Sequence, residues 1–240
     1  MSIKIGVLGA SGKMAQSIKE EVKSQNHDCL LYSRKSDMES LDEIFTKSDV
    51  IIDFTNPDVL ELHIESAVKH KKPIVIGTTG ISKNQMDALK KHSMEIPILY
   101  SPNTSVGVSV LKKLVEKCSK LLDEEYDIEI TDIHHRYKID SPSGTALMLG
   151  DTILKNKNKN VENNSHIDRS GKRTKGDVGF SSIRGGSYVC GHDIHFMGND
   201  ETITISHKSF SRNVYSKGAV KASIWITKQD PGLYSMDDVL

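Results

Sequence analysis

Ile3-Lys4-Ile5-Gly6-Val7-Leu8-Gly9-Ala10-Ser11-Gly12-Lys13-Met14-Ala15 is the stretch whose reading decides the fold. Ile3 to Leu8 is a short apolar run closed by glycine, as expected of a parallel strand buried on both faces. A helical pattern follows to about Ser24. Strand, glycine turn and helix, in that order, open a dinucleotide-binding fold. Gly9 permits the tight turn, and Gly12 lets a pyrophosphate approach the helix N-terminus. Ala15 is small enough for the helix to pack on the strand. Ser11 stands where the usual pattern has its middle glycine.

Working outward, Asp28 to Tyr32 reads as the second strand. An acid at its end would hold the adenosine ribose diol, whereas a base favours a 2′-phosphate. The chain offers Ser33-Arg34-Lys35 and no acid until Asp37, which tilts the cofactor towards NADPH over NADH. Val50 to Phe54, Lys72 to Ile76 and Pro97 to Tyr100 are further strands. Asn56-Pro57 starts one intervening helix, and Ser82 with Gln85 forms a capping box for the next. Gly77-Thr78-Thr79-Gly80 lies at a strand's carboxyl end, where a doubly wound sheet opens its ligand crevice. Alternating strand and helix thus make residues 1–105 a dinucleotide-binding domain. Val106 to Leu122 is helical, with Val106, Val110, Leu114, Val115, Cys118, Leu121 and Leu122 expected to form its core face.

The second half turns on Ile130-Thr-Asp-Ile-His134-His135-Arg136-Tyr137-Lys138-Ile-Asp140-Ser-Pro-Ser143-Gly144-Thr145-Ala-Leu147. A strand end leads into a helix from about Pro142 to Lys155, with Ser141 or Ser143 available as N-cap. Two imidazoles, a guanidinium and an ammonium fall within five positions between them. Backbone N–H groups at Ser143, Gly144 and Thr145 suit an anion at the positive end of the helix. His135 and Lys138 add charge for a carboxylate, and His134 or Lys138 could donate a proton.

The polar run Lys155 to Asn164 reads as a mobile connector. Val178 to Arg184, Ser187 to Met197 and Glu201 to Lys208 are β-prone, and Gly185-Gly186 and Gly198-Asn199 between them suggest hairpins. An α+β domain with a mixed or antiparallel sheet is therefore expected over residues 106–212. A helix from Arg212 to Trp225 and the closing tail would return to complete the first domain, as residues 213–240. His192 and His195 stand three apart and so point to opposite faces of a strand, which argues against a metal site there.

Lys plus Arg number 32 and Asp plus Glu number 32, leaving no net charge to suit nucleic acid or an acidic membrane surface. Cys29, Cys118 and Cys190 are scattered, as befits a reducing cytoplasm. No leader precedes the first strand and no apolar run could span a bilayer, so a soluble cytoplasmic protein is expected.

His134-His135-Arg-Tyr-Lys138-Ile-Asp-Ser-Pro-Ser143-Gly144-Thr145-Ala resembles the long, irregular signature block of the 4-hydroxy-tetrahydrodipicolinate (dihydrodipicolinate) reductases. Gly9-Ala-Ser-Gly12-Lys-Met14, Asp53-Phe54-Thr55, Gly77-Thr78-Thr79, Pro102-Asn103, Val178 to Gly186, Ile205-Ser-His-Lys208 and Gly232 to Leu240 are similar to the family as well. The resemblance implies NAD(P)H-dependent reduction of a cyclic dicarboxylate in the diaminopimelate and lysine pathway, by a homotetramer assembled through the second domain's sheet. It implies proton transfer by His134 and Lys138, and substrate contacts at His135, Ser143, Gly144 and Thr145. Cofactor contacts are implied at Gly9, Ala10, Ser11, Gly12, Lys13, Met14, Ser33, Arg34, Gly77, Thr78, Thr79, Ser101, Pro102, Asn103 and Thr104. Three departures stand out: Ser33 in place of an acid, Thr104 where phenylalanine is frequent, and the polar connector after Lys155, which aligns with no family motif. Rival readings are another NAD(P)H-dependent amino-acid-type dehydrogenase and a non-catalytic NADPH-sensing regulator. An aspartate-semialdehyde dehydrogenase would need a nucleophilic cysteine, and none of the three lies in a suitable loop. A regulator would have no use for His134 and Lys138 together.

Overall fold

A computed structural model describes residues 2–33, 40–167 and 169–240. Arg34, Lys35 and Asp37, on which the 2′-phosphate argument turns, lie outside the described residues. The chain divides into two compact units, Met1–Val106 with Asn213–Leu240, and Gly107–Arg212.

In the first unit, β1 (Lys4–Leu8), β2 (Asp28–Tyr32), β3 (Val50–Asp53), β4 (Ile74–Ile76), β5 (Pro97–Tyr100) and the late strand β11 (Gly232–Tyr234) form one parallel sheet. Its order is β11-β5-β4-β3-β1-β2. Strand alternation divides the apolar residues between two cores, which is why each strand reads as a continuous hydrophobic run. Ile5, Val7, Ile52 and Leu99 pack with helices α1 (Lys13–Ser24) and α8 (Asn213–Ile226) on one side. Leu8, Ile51, Ile76 and Ile98 pack with α2 (Leu41–Lys47), α3 (Leu60–Lys69) and α4 (Lys83–His92) on the other. The fold is α/β of Rossmann type, with the Ser82–Gln85 capping box formed in full at the start of α4.

The second unit contains most of α5 (Val106–Leu121), then β6 (Asp127–His134), α6 (Gly144–Asn156), α7 (Val161–Asn164), β7 (Ser165–Ile167), β8 (Val178–Arg184), β9 (Cys190–Met197) and β10 (Thr202–Ser209). Its sheet order is β10-β9-β6-β8-β7. β6 runs parallel to β8 and antiparallel to β9, so the sheet is mixed. β9 and β10 form the expected hairpin, but β8 and β9 do not, because β6 lies between them. Gly185-Gly186 is a crossing turn that places an earlier strand in the centre.

Three local expectations are corrected. α6 begins at Gly144 with Ser143 as N-cap, so Pro142 precedes the cap instead of opening the helix. The stretch read as a mobile connector is ordered: Asn160 caps α7, and the Asn156 amide donates to Ser119 Oγ at 2.7 Å. α5 buries Val108, Leu111 and Val115, while Val110, Leu114 and Leu121 of the expected face are exposed.

Candidate active site

Turns that follow the parallel strands share one edge of the first sheet. Gly9, with φ +82°, turns the chain after β1, and its N–H and that of Ala10 both donate to the Tyr32 carbonyl. A Cβ on Gly9 would meet Thr55 Cγ2 at 3.0 Å. Thr55 is held there because its N–H and hydroxyl both donate to buried Asp53 Oδ1, while His63 Nδ1 lies 2.7 Å from Oδ2. Ser11 and Lys13 are exposed beside this turn, and Met14 packs towards the core. Gly12 caps α1 without a side chain, whereas serine hydroxyls cap α2, α4 and α6. The first turn of α1 therefore lacks the capping oxygen its counterparts possess.

Gly77 approaches the Phe54 ring so closely that a Cβ would lie 2.2 Å from it. Thr78 is buried and its hydroxyl has no hydrogen-bond partner among the described residues; Thr79 is exposed beside it. Ser101 donates to the Asn103 carbonyl, and exposed Pro102 lies between them. The Thr104 hydroxyl is committed to the Tyr215 carbonyl at 2.7 Å, leaving backbone as this residue's available part. Ser33 follows β2. The glycine cradle, uncapped helix start and orphaned threonine hydroxyl fit a dinucleotide with its phosphates at α1.

The second unit gathers the remaining candidates. His134 is the last residue of β6, so alternation turns it onto the helix-covered face and sends His135 the other way. The same face carries Asp132 on β6, Ser182 and Arg184 on β8, and His192 on β9. Asp132 Oδ2 lies 3.0 Å from His134 Nδ1 and 3.0 Å from an Arg184 guanidinium nitrogen, and the Ser182 hydroxyl donates to Oδ1. The His134 contact is short but poorly aligned. Burial by itself would raise the Asp132 carboxyl. The facing His134 ring, the Ser182 hydroxyl and the Arg184 charge outweigh it and hold the group well below the usual carboxylate range.

His192, 1% exposed, lies edge-on to the His134 ring with centroids 5.5 Å apart. Its Nε2 is 3.1 Å from the hydroxyl of Ser143, which also accepts from the Ala146 N–H as N-cap. Burial pushes His192 down to about 4, with positive charge at His134 adding to the effect. Lys138 Nζ is held by Asp140 at 2.7 Å, and Arg184 donates to the Asp140 carbonyl at 2.7 Å. Gly144 is exposed with open space around it, next to half-buried Thr145. The His135 carbonyl accepts from the Lys138 N–H at 3.1 Å, and its ring Nε2 lies 3.2 Å from the Arg212 guanidinium.

Among the described residues, two donor sets have ligand atoms within 4.8 Å of one another: Asp132, His134 and His192, and Cys190, His192 and His207. His192 is common to both, with Nε2 already on Ser143, and Arg184 neutralises Asp132. His195 points away to Thr204. Asp132, Ser182, Arg184, His192 and Arg212 escaped sequence reasoning as site residues. The available signal was parity: Asp132 stands two before His134, and Ser182 two before Arg184.

The family pattern "Dihydrodipicolinate reductase, N-terminus" matches residues 3–104, and "Dihydrodipicolinate reductase, C-terminus" matches 107–240. The chain is 41% identical over 241 residues to the 4-hydroxy-tetrahydrodipicolinate reductase of Rickettsia peacockii (strain Rustic), covering 99% of this chain and 98% of that protein. It is 39% identical over 267 residues to that of Wolbachia sp. subsp. Brugia malayi (strain TRS), covering all of both. The solved structure of a dipicolinate-bound dihydrodipicolinate reductase from Paenisporosarcina sp. TG-14 has the same fold, with a TM-score of 0.79 at 22% identity over the whole of both chains. With both halves matched and relatives alike from end to end, this chain belongs to the dihydrodipicolinate reductase family, a family of NAD(P)H-dependent oxidoreductases.

Proposed function

We propose that this protein reduces 4-hydroxy-tetrahydrodipicolinate to tetrahydrodipicolinate in diaminopimelate and lysine biosynthesis, in the cytoplasm, preferring NADPH to NADH. The names of the full-length relatives support the substrate. The observation that carries the reading is the pairing of two groups able to pass protons with carboxylates, His134 with Asp132 and Lys138 with Asp140, beside the start of α6.

Residues 1–105 with 213–240 bind the dinucleotide, and 106–212 bind substrate. The cradle at Gly9 to Met14 takes the pyrophosphate, Ser33 and Arg34 the adenosine ribose and its phosphate, and Gly77 to Thr79 with Ser101 to Thr104 the nicotinamide half. When bound, the reduced nicotinamide supplies hydride to the ring. Backbone N–H groups at Ser143, Gly144 and Thr145 hold one carboxylate of the dicarboxylate, and His135 with Lys138 neutralise the other. Holding the ring in one orientation supplies much of the rate, an effect worth up to roughly 7–11 kcal/mol in well-aligned reactions. His134 and Lys138 give protons as charge develops and water leaves.

The face of the second sheet turned away from α6 carries Ile183, 51% exposed, and Met197, 38% exposed, which supports self-association into a homotetramer. The deciding assay is NADPH oxidation that depends on the freshly made product of a dihydrodipicolinate synthase. Oxidation at the no-substrate background rate would end this reading and favour a nucleotide-binding regulator.

A further inference from the structure

Asp132, 1% exposed, is more deeply buried than any other acid of the second unit among the described residues. A buried carboxylate needs a counter-charge, and the Arg184 guanidinium at 3.0 Å meets that need alone. Nothing in folding requires His134 to face the same oxygen as well. Yet strand parity puts Asp132 and His134 on one face, with Nδ1 3.0 Å from Oδ2. An imidazole nitrogen facing an ionised carboxylate carries the proton, since the other tautomer would set a lone pair against a negative charge. The far nitrogen, Nε2, is then the one left for a ligand.

Three further contacts fix the arrangement. Ser182 donates to the second oxygen of Asp132, so the carboxylate cannot swing. His192 packs edge-on against the His134 ring, at 75°. Arg184 also donates to the carbonyl of Asp140, whose carboxylate holds Lys138, so one guanidinium ties the His134 pair to the Lys138 pair.

We propose that Asp132, clamped by Ser182 and Arg184, is a positioning residue that holds His134 as the Nδ1–H form with Nε2 turned to the reacting ring. This rests on His134 as the proton-transfer group named above. In that step the His134 imidazolium gives its Nε2 proton to the ring and becomes neutral imidazole, keeping the Nδ1 proton that faces the Asp132 carboxylate. Solvent restores the Nε2 proton before the next turnover.

Full-length wild type, His134→Ala, Asp132→Asn, Ser182→Ala and the double variant Asp132→Asn/His134→Ala test it, with substrate generated in the cuvette. An asparagine amide can face Nδ1 as a donor and so stabilise the wrong tautomer. His134→Ala and Asp132→Asn are each expected to lower kcat about 10²-fold or more, with KM little changed. The double variant should be no slower than His134→Ala, because Asp132 acts only through the imidazole. Ser182→Ala should lose part of the same kcat. A double variant whose loss equals the product of the two single losses would assign Asp132 a merely structural role and overturn the proposal. If His134→Ala keeps wild-type kcat, the reading of His134 itself fails. If His134→Ala falls and Asp132→Asn does not, only the present proposal fails. Should Asp132→Asn not fold, nitrogen-15 NMR of wild-type His134 decides: an Nε2–H tautomer in the neutral ring would overturn it, and Nδ1–H supports it.

Discussion

His192 is the residue on which burial acts most legibly. Its folded value of about 4 lies below the ordinary 6.5, so between those pH values the unfolded chain holds the extra proton. The contribution to stability is complete above about pH 6.5 and lost as pH falls towards 4, amounting to on the order of 3 kcal/mol. Urea unfolding at pH 7.5 and pH 5 should show wild type losing more than His192→Gln over that interval; equal losses would contradict this. Lys138→Ala should cut kcat roughly 10²- to 10⁴-fold while NADPH still binds. A near-wild-type kcat would remove Lys138 from the mechanism. His134 and Lys138 stood out as candidates because donors of one sign crowd a few positions. Asp132 and Arg184 did not, since one is the third acid of a strand that alternates acids with isoleucines and the other a single charge at a strand's end. Their meaning comes from a register, His134 opposite Arg184 and Asp132 opposite His192, that no local pattern contains. His192 and His195 do part to opposite faces as alternation requires, yet the partners of His192 came from β6 and Ser143.

Among the elements, α6 carries the heaviest demand at its first turn. Ser143 satisfies the Ala146 N–H and meets His192 at once. Ser143→Ala should cost about 1 kcal/mol of stability, the usual scale for a lost N-cap. It should also raise KM for the dicarboxylate if that turn receives a carboxylate. Thermal melting and steady-state kinetics on the same preparation read both effects. At the first sheet's edge, Gly9→Ala would force φ +82° on a residue with a Cβ and push it against Thr55. NADPH should bind that variant more weakly by fluorescence titration, and an unchanged Kd would take the cofactor away from this turn. The strand–turn–helix at Gly9 and the capping box at Ser82 were readable because both are local chemistry. α5 was readable only in part: Val115, Cys118 and Leu122 pack on the core as expected, but the helix carries two apolar stripes one step apart, and only the sheet it covers selects Leu111 over Leu114. The supposed β8–β9 hairpin failed for a related reason. A double glycine marks a turn without saying which strand waits on its far side.

For the whole molecule, zero net charge and balanced composition leave specificity to local clusters. Separate titrations with NADPH and NADH should give the tighter Kd for NADPH if Arg34 and Lys35 meet a 2′-phosphate, and equal constants would refute it. Fold class was open to sequence because parallel strands and their turns announce themselves one after another. The order of the second sheet was hidden, because a strand inserted between two later ones leaves no trace in periodicity. One feature of the first unit reaches back to the chain's birth on the ribosome. Ala219, Val220, Ala222 and Ile226 of α8, with Met236 and Val239, fill a core whose other wall is made by Ile5, Val7 and Val50. Those late residues follow the whole second unit in the chain, so the earliest strands must wait for them to emerge, while the continuous stretch Gly107–Arg212 is already complete.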